Sequence, residues 1–397
     1  MAANWKEVEK FIKGLKIPKE YWGIDFDTFS EYQWNFYLSI RETAGKTTQA
    51  LLLGLVLNRL YPEQYTIEYI RNDTAQITRA NIEDLFKTVE RFNYIEKIYG
   101  YRWNTVKYHT QQRKFYLAKM DEEGSIIEED ANAICIVHSL EKATEFKSGY
   151  NNPRGNYILF DEFIDTSRAT YGIFPELLTA VSTIGRPGSE TRRDWLKIIA
   201  LGNNTDPYSF WFDEFGVSQD IPYLKFGGSI TFRTEYNTTG VFRLLEPGEI
   251  QRKRLLSKNI PYIGFPGKKA AQFTGESEWS GKTYRHFEDT LDYENCAFRR
   301  CYIFHRGRYI QMELFSDQEH GIYTFLHFAN RPQKEDNLIL TLEPVYKTDV
   351  YGFGKYDKRD KVKRVMSKYV SCFQENKFYY ASNMVGSLTE DFIKNIS

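Results

Sequence analysis

The sequence contains few cysteines and lacks a long hydrophobic run. Only four of its 397 residues are cysteine, and their spacing shows no paired disulfide framework. The longest apolar stretch, residues 50–57, is far shorter than the roughly 20 residues that a membrane-spanning helix needs. The N-terminus, MAANWKEVEKF, has no signal-peptide pattern. We therefore expect a protein of a reducing, intracellular setting that does not cross a membrane.

An excess of charge of either sign is also absent. The 53 Lys and Arg balance the 53 Asp and Glu, so a polyanionic partner would have to bind local basic patches. The sequence does have length and aromatic residues. Its 397 residues suffice for two domains, each with its own core, and its 29 Tyr and 29 Phe predict well-packed domains.

A strand, a loop and a helix follow one another near position 45. The segment WNFYLSI, residues 34–40, predicts a buried parallel strand, and QALLLGLVLNRLY, residues 49–61, predicts a helix. Between them lie Gly45, Lys46 and Thr47, the second half of the phosphate-binding loop G-x-x-x-x-G-K-[ST]. Ile40 stands where the first glycine of that loop is usual.

The residues of this loop have specific roles in a nucleotide site. Lys46 would reach the β and γ phosphates, Thr47 would reach Mg²⁺, and backbone N–H groups up to Thr48 would form an anion nest. The glycine that is usual at position 40 permits a backbone turn and takes part in no chemical step. Arg41 is either a phosphate or adenine contact or a salt-bridging residue at the end of the strand.

Strand-like and helix-like segments alternate up to about residue 205. This alternation predicts an α/β domain with a mostly parallel sheet, whose ligands bind at the carboxyl ends of the strands. The further expected elements are strands at 65–72, 133–140, 156–165 and 194–204, a helix at 81–92, and a hairpin at 106–129 with its turn at Glu123-Gly124.

The strand at 156–165 carries the second candidate motif, YILFDEF. Its apolar residues lead to Asp161 and Glu162, an arrangement of the Walker B type. Asp161 would hold Mg²⁺, directly or through water, and Glu162 would polarise the attacking water. An apolar strand that ends in Asp-Glu is common by itself, but here it follows the phosphate loop by about 115 residues. These two motifs, with the strand-loop IIALGNN some 40 residues beyond, together predict a P-loop ATPase of the type that has an extra strand between the two motifs.

We divide the chain into three parts. Residues 1–205 form the predicted ATPase domain with an N-terminal helical extension, residues 206–228 a connector, and residues 229–397 a C-terminal domain. Strand-like runs dominate the last part, and its end predicts a strand followed by a helix. The expected fold class is α/β.

The motifs, taken in order, resemble those of a known family. RETAGKTT, YIRN, YILFDEF, IIALGNN and a final FYYASNM are similar to motifs of the DNA-packaging ATPases (encapsidation proteins) of phi-29-type bacteriophages. The resemblance covers most of the first 215 residues and returns at the C-terminal tail, and Ile40 is its departure. It implies a terminase-like ASCE ring motor that uses ATP and Mg²⁺ to drive double-stranded DNA into a preformed capsid. It also implies a C-terminal domain that resembles a vestigial RNase H-like nuclease.

The resemblance implies partners and a place of action as well. The partners are double-stranded DNA and the portal (connector) of the procapsid, and the sequence leaves open whether a structural RNA is a third. The implied assembly is a homo-oligomeric ring, a pentamer in this family, with no membrane partner. The protein would act in the host cytoplasm during virus assembly and transiently at the capsid portal vertex.

By the same resemblance, roles pass to individual residues. Lys46 and Thr47 become ligands of ATP and Mg²⁺, with Asp161 as the metal residue and Glu162 as the catalytic carboxylate. Asn203 or Asn204 is similar to the coupling or sensor position next to the γ-phosphate.

Basic residues from a neighbouring subunit complete the site in this family. Lys147, in the loop before the Walker B strand, is similar in place to one of them. For the arginine finger, the segment 182–195 offers Arg186, Arg192 and Arg193. Spacing favours Arg186, while Arg193 fits the approach to the next strand. Each arginine is equally well explained as an ordinary surface residue.

The C-terminal half contains weaker candidate sites. A cluster of two histidines and two cysteines lacks the tight spacing of a zinc site, so we expect packing roles for His286, Cys296, Cys301 and His305. No motif orders the acidic residues into a two-metal nuclease site, so cutting activity is not expected from Glu313, Asp317, Glu343 and Asp349.

The contacts with DNA are the least specific element of the sequence. A motor grips the DNA backbone without reading bases, so moderately basic loops suffice. The basic runs at 252–254, 268–269 and 355–364 are candidates, although each also fits an ordinary solvated surface.

Two other functions remain open. A terminase large subunit with an active nuclease would share the fold. A non-hydrolysing nucleotide-binding scaffold protein would differ in class, with an altered loop that holds nucleotide weakly.

Overall fold

A computed structural model describes most of the chain. The described residues are 3–18, 21, 23–39, 45–142, 150, 152–164, 173–185, 196–234, 237–246, 284–287, 291–332, 338–341, 350–352 and 360–394. Those up to residue 246 belong to one compact unit and those from residue 284 on belong to a second. Within these ranges no helix is long and apolar enough to cross a membrane.

The first unit begins with two helices and the strand that precedes the predicted phosphate loop. Helix α1 spans Trp5–Gly14 and α2 spans Phe26–Glu31, as expected of the helical extension. Strand β1, Trp34–Ser39, is buried at every position. Helix α3 follows at Lys46–Leu60 and ends just before Pro62, a residue that cannot continue a helix.

The other elements complete a nine-stranded sheet with helices on both faces. In chain order they are β2 (Ile67–Arg71), α4 (Arg79–Ile82), α5 (Lys87–Arg91), α6 (Tyr94–Tyr99), β3 (Thr105–His109), β4 (Lys114–Met120), β5 (Ile126–Ser139), β6 (Tyr157–Asp161), α7 (Ile173–Ile184), β7 (Lys197–Asn203), α8 (Phe210–Glu214), β8 (Ser229–Arg233) and β9 (Thr239–Leu244).

The strand order of this sheet is β3-β4-β5-β2-β6-β7-β1-β9-β8. Its six central strands, from β5 to β9 in that order, pair in parallel, and the strands at both edges pair antiparallel. The predicted α/β class with a mostly parallel sheet is confirmed. The carboxyl ends of β1, β2, β6 and β7 therefore lie along the same border of the sheet, its carboxyl-terminal edge.

Apolar side chains cover both faces of the sheet. On one face α3 buries residues 49–58, and Gly54 lies so close that a Cβ there would come within 2.5 Å of the Ile67 side chain. On the other face Trp211 of α8 packs edge-on against Phe160, with ring centroids 5.6 Å apart. Because the central strands have no solvent face, their sequences read as continuous apolar runs.

Two local predictions differ from the structure. The helix predicted at 81–92 is broken into two short pieces, α4 and α5, and Asn93, with a φ of +55°, separates α5 from the next helix, α6. The predicted hairpin at 106–129 is a three-stranded meander, β3-β4-β5, because Arg113, with a φ of +54°, allows an additional turn. The turn predicted at Glu123-Gly124 does join β4 and β5.

The predicted domain boundaries at 206 and 229 are wrong. Residues 206–228 are not a free connector, since Phe210, Trp211 and Phe212 are buried in the first unit. Strands β8 and β9 extend the first sheet, and β9 pairs in parallel with β1, with Phe242 opposite Phe36. The rings of these two residues stack at 4.1 Å between centroids. Burial of this aromatic surface against β1 holds the segment in the first unit.

The second unit is also α/β. Its elements are β10 (Cys296–His305), β11 (Arg308–Asp317), β12 (Gly321–Ala329), β13 (Leu338–Thr341), β14 (Val350–Gly352), α9 (Asp360–Gln374), β15 (Phe378–Tyr380) and α10 (Asn383–Lys394). The sheet order is β14-β13-β10-β11-β12-β15, an antiparallel meander of three long strands with parallel strands on each side. Its final strand and helix agree with the prediction for the chain's end.

Candidate nucleotide and magnesium site

Three parallel strands, β1, β6 and β7, and the start of α3 bring the predicted site residues to the carboxyl-terminal edge of the first sheet. Ser39 ends β1 and lies opposite Asn203 at the end of β7. Asp161 ends β6 opposite Leu201 of the same strand β7. The start of α3 follows β1 in the chain, so Lys46 and Thr47 lie at the same edge.

Gly45 starts α3 in a left-handed conformation. Its φ is +57°, and the position at which a Cβ would stand is 3.0 Å from the ring of Tyr21. Any other residue would be strained here and would meet that ring. Thr48 lies in the first turn of α3, as the phosphate-loop interpretation requires.

Lys46 is held by the ends of two strands. Its Nζ donates hydrogen bonds to Ser39 Oγ at 2.5 Å and to Asn203 Oδ1 at 3.1 Å. Burial lowers the pKa of Lys46 to about 8, against the opposing effect of the nearby Asp161 and Glu162 carboxylates. A buried ammonium group whose hydrogen-bond acceptors in the described structure, Ser39 and Asn203, are both neutral is suited to bind an anion such as a phosphate group.

Thr47 and Asp161 present the oxygen atoms that Mg²⁺ prefers. The Thr47 hydroxyl lies 3.3 Å from Asp161 Oδ1 and 3.2 Å from Oδ2. Asp161 is buried, and a hydroxyl beside a carboxylate is a hard oxygen donor set. The residues present therefore fit a magnesium ion that would be shared with nucleotide phosphates.

Glu162 differs from Asp161 in conformation and exposure. Its φ is +57°, a value that costs free energy in a non-glycine residue. Its side chain is 53% exposed, whereas Asp161 is buried. Asn72 fixes the backbone conformation by donating its side-chain N–H to the Glu162 carbonyl oxygen at 2.8 Å.

Arg71, which ends β2, contacts both carboxylates and was not among the predicted site residues. Its Nη2 is 3.3 Å from Asp161 Oδ2, its Nη1 forms an ion pair with Glu162, and its Nε donates to Tyr69 Oη at 2.7 Å. Burial acts to lower the pKa of Arg71, but Asp161, Tyr69 and Glu162 raise it overall, so the guanidinium stays charged. Two sequence signals pointed to Arg71: its place in the motif YIRN and its charge at the carboxyl end of a parallel strand.

The structure distinguishes the two candidate sensor residues. The side chain of Asn203 contacts Lys46, whereas the backbone N–H of Asn204 donates to the Ser39 carbonyl oxygen at 3.0 Å. Asn203 is therefore the residue placed to respond to an occupant of the phosphate loop. Its role as a sensor remains a prediction.

Several predicted residues lie outside the described part of the chain. These are Ile40, Arg41, Lys147, Arg186, Arg192, Arg193, Glu343, Asp349 and the basic segments 252–254, 268–269 and 355–359.

The four residues of the possible zinc cluster have separate partners. Cys301 is buried in the core of the second unit, and His305 Nε2 lies 2.6 Å from Asp391 Oδ2. His286 Nδ1 is 2.8 Å from the Tyr380 carbonyl oxygen. Cys296 Sγ is 3.7 Å from the Phe298 carbonyl oxygen. Among the described residues, no three His, Cys, Asp or Glu side chains cluster as metal ligands would.

Comparison with solved structures finds this fold in two viral motors. The chain is similar to "The Phi-28 gp11 DNA packaging Motor" at 16% identity and a TM-score of 0.55, with 96% of this chain and 99% of that chain covered. It is also similar to a chain of the bacteriophage Phi-29 viral genome packaging motor assembly at 15% identity and a TM-score of 0.56, with 96% and 100% covered. No protein-family model and no curated protein sequence matches it. At such low identity the likeness establishes the fold alone, and this chain has the fold of these packaging-motor proteins along nearly its whole length.

Proposed function

We propose that the protein is a viral DNA-packaging motor ATPase that couples ATP hydrolysis to the movement of double-stranded DNA into a preformed capsid. The observation that carries this proposal is the convergence of Lys46, Thr47, Asp161, Glu162 and Asn203 at one sheet edge. They converge in a chain that shares the fold of packaging-motor proteins over nearly its full length.

The geometry supports an in-line attack of water on the γ-phosphate. Lys46 would exchange Ser39 and Asn203 for phosphate oxygens, which are stronger acceptors because they are charged. Mg²⁺, when bound at Thr47 and Asp161, would offset the negative charge of the β and γ phosphates. The exposed Glu162 carboxylate would orient the water. Asn203, which contacts Lys46, would sense whether a γ-phosphate is bound.

We further propose that a neighbouring subunit completes the site in a ring. Arg186 is the leading candidate for the arginine finger, with Arg192 and Arg193 as alternatives, and Lys147 as a second basic contributor. The partners would be double-stranded DNA and the portal of the procapsid, and the ring would be a pentamer; whether a structural RNA is a third partner stays open. The protein would act in the host cytoplasm and at the portal vertex.

The second unit would move DNA without cutting it. Its meander with flanking parallel strands is compatible with an RNase H-like sheet. Glu313 on β11 is buried, with Oε1 accepting a hydrogen bond from Gln311 at 2.9 Å and Oε2 lying 3.3 Å from His327 Nε2. Asp317 accepts a hydrogen bond from the His320 backbone N–H. These partners favour structural roles for the carboxylates over metal binding.

The proposal is tested by nucleotide binding and DNA-stimulated ATP hydrolysis. Lys46→Ala should abolish binding of a fluorescent ATP analogue and all turnover, while Lys107→Ala, an exposed lysine beside Glu129, should change neither. ATP binding without turnover in the wild type, with and without DNA, would favour the scaffold protein instead. Unchanged nucleotide affinity in Lys46→Ala would remove the phosphate-loop assignment.

A further inference from the structure

The two carboxylate oxygens of Asp161 have different numbers of neighbours. Its Oδ2 atom accepts a hydrogen bond from Tyr69 Oη at 2.9 Å and lies 3.3 Å from Arg71 Nη2 and 3.2 Å from Thr47 Oγ1. Its Oδ1 atom, among the described residues, lies near Thr47 Oγ1 alone, at 3.3 Å. A carboxylate has about four lone-pair positions. Within the described part of the chain, the positions on Oδ2 are thus largely used by protein, while Oδ1 keeps capacity beside Thr47.

Sheet register explains how Tyr69 reaches this carboxylate. Tyr69 of β2 lies opposite Leu159 of β6, so Asp161 is its diagonal neighbour two residues further along the same face. Diagonal pairs on one sheet face are within reach of aromatic side chains. The ring of Tyr69 is completely buried, and its hydroxyl also accepts a hydrogen bond from Arg71 Nε at 2.7 Å.

The hydroxyl of Tyr69 serves the carboxylate rather than the fold in general. Tyr157, on the neighbouring strand β6, is equally buried, but its hydroxyl donates to the Ala50 backbone carbonyl oxygen of α3 at 2.7 Å. Two buried tyrosines on adjacent strands thus direct their hydroxyls to different targets. Packing alone would be satisfied by phenylalanine at position 69.

We infer that Tyr69 is a positioning residue for the magnesium site. With Arg71 it holds Oδ2 of Asp161 and fixes the orientation of the carboxylate, so that Oδ1 and the Thr47 hydroxyl would be the atoms that hold a magnesium ion. The inference rests on the proposed function of Asp161 as the metal residue. Partners of this kind, which orient a ligand without touching the ion, typically change metal affinity by about 10- to 100-fold.

The experiment measures how much Mg²⁺ strengthens nucleotide binding, independently of turnover. A fluorescent ADP analogue is titrated into full-length protein with Mg²⁺ or with EDTA, and the ratio of the two dissociation constants gives the enhancement. Tyr69→Phe should reduce the enhancement about tenfold and change the affinity in EDTA by less than about twofold. Tyr157→Phe is the matched control and should keep the wild-type ratio.

A double-mutant cycle distinguishes an effect of Tyr69 through Asp161 from a general loss of structure. If Tyr69 acts through Asp161, Tyr69→Phe should lower the enhancement no further in an Asp161→Asn background. An enhancement that stays at the wild-type value in Tyr69→Phe overturns the inference, and so does an equal further loss in the Asp161→Asn background. A wild-type protein that shows no Mg²⁺ enhancement would instead contradict the proposed function, so the two failures are distinguishable.

Discussion

Lys46 and Asn203 lie 157 positions apart in the chain and are joined by a hydrogen bond from Nζ to Oδ1 of 3.1 Å. The bond forms because β1 and β7 are parallel neighbours whose ends, Ser39 and Asn203, stand opposite each other. In the proposed nucleotide site, a γ-phosphate would compete with Asn203 for the same ammonium group. Nucleotide binding at the loop would thereby alter the end of β7 directly, without any intervening element.

Glu162 is predicted to be essential for hydrolysis but not for binding. Glu162→Gln keeps the size of the side chain and removes the negative charge that orients the water, so hydrolysis should fall by several orders of magnitude while Mg·ATP binding persists. Single-turnover hydrolysis and equilibrium binding measure the two effects. The control is Glu83→Gln, which removes the charge of an exposed glutamate that pairs with Arg79, and it should behave as wild type. Full turnover in Glu162→Gln would require a different residue to activate the water.

Catalysis is predicted to be completed by a residue from a second subunit. The transition state of phosphoryl transfer spreads charge over the γ-oxygens, and an inserted arginine is worth roughly three to five powers of ten in rate. Glu162→Gln and Arg186→Ala should each be inactive but bind ATP. Mixing the two proteins should restore part of the DNA-dependent activity, because some interfaces of a mixed ring contain both intact groups. If the mixture stays inactive while Arg186→Ala alone is fully active, Arg193 becomes the candidate.

The second unit is predicted not to cut DNA. Purified protein should leave supercoiled plasmid intact in the presence of Mn²⁺, since Glu313 is buried against Gln311 and His327. Agarose gels of the plasmid over time give the measurement. Nicking that disappears in Glu313→Gln or Glu343→Gln, with ATP hydrolysis retained, would identify a terminase with an active nuclease.

Lys197 is predicted to make folding depend on pH. Its Nζ is buried and donates to the carbonyl oxygens of Ser30 and Tyr32 at 2.7 and 2.8 Å, and burial lowers its pKa from 10.5 to about 8. Because the unfolded chain keeps this proton up to higher pH, the contribution of Lys197 to the free energy of unfolding is constant below pH 8. It then rises by up to about 1.4 kcal/mol per pH unit between pH 8 and 10.5.

Urea unfolding of wild type and Lys197→Met at several pH values tests this dependence. The wild type should gain stability relative to the variant between pH 8 and 10. The exposed Lys107→Met should show no such trend. A stability difference between wild type and Lys197→Met that is independent of pH from pH 8 to 10 would contradict a lowered pKa of Lys197.

Local patterns predicted the parts of the site that are contiguous in the chain. The buried strand at 34–39, the start of α3 at Lys46 and the strand that ends at Asp161 each follow from apolar runs bounded by polar residues. The same patterns failed at residues 206–244. The sequence of a short aromatic strand does not indicate which unit it belongs to. Only the pairing of β9 with β1 assigns residues 229–244 to the first unit.

The sequence by itself thus determined the class of sheet and the strands and helix on which Lys46 and Asp161 lie, because these depend on neighbours in the chain and on periodicity. Only the tertiary structure placed Arg71 and Tyr69 against Asp161 and distinguished Asn203 from Asn204 at Lys46. Those contacts depend on which strands become neighbours and in what register. Parallel strands are joined by long crossovers, so their pairing is decided by the burial of both sheet faces rather than by any spacing in the sequence.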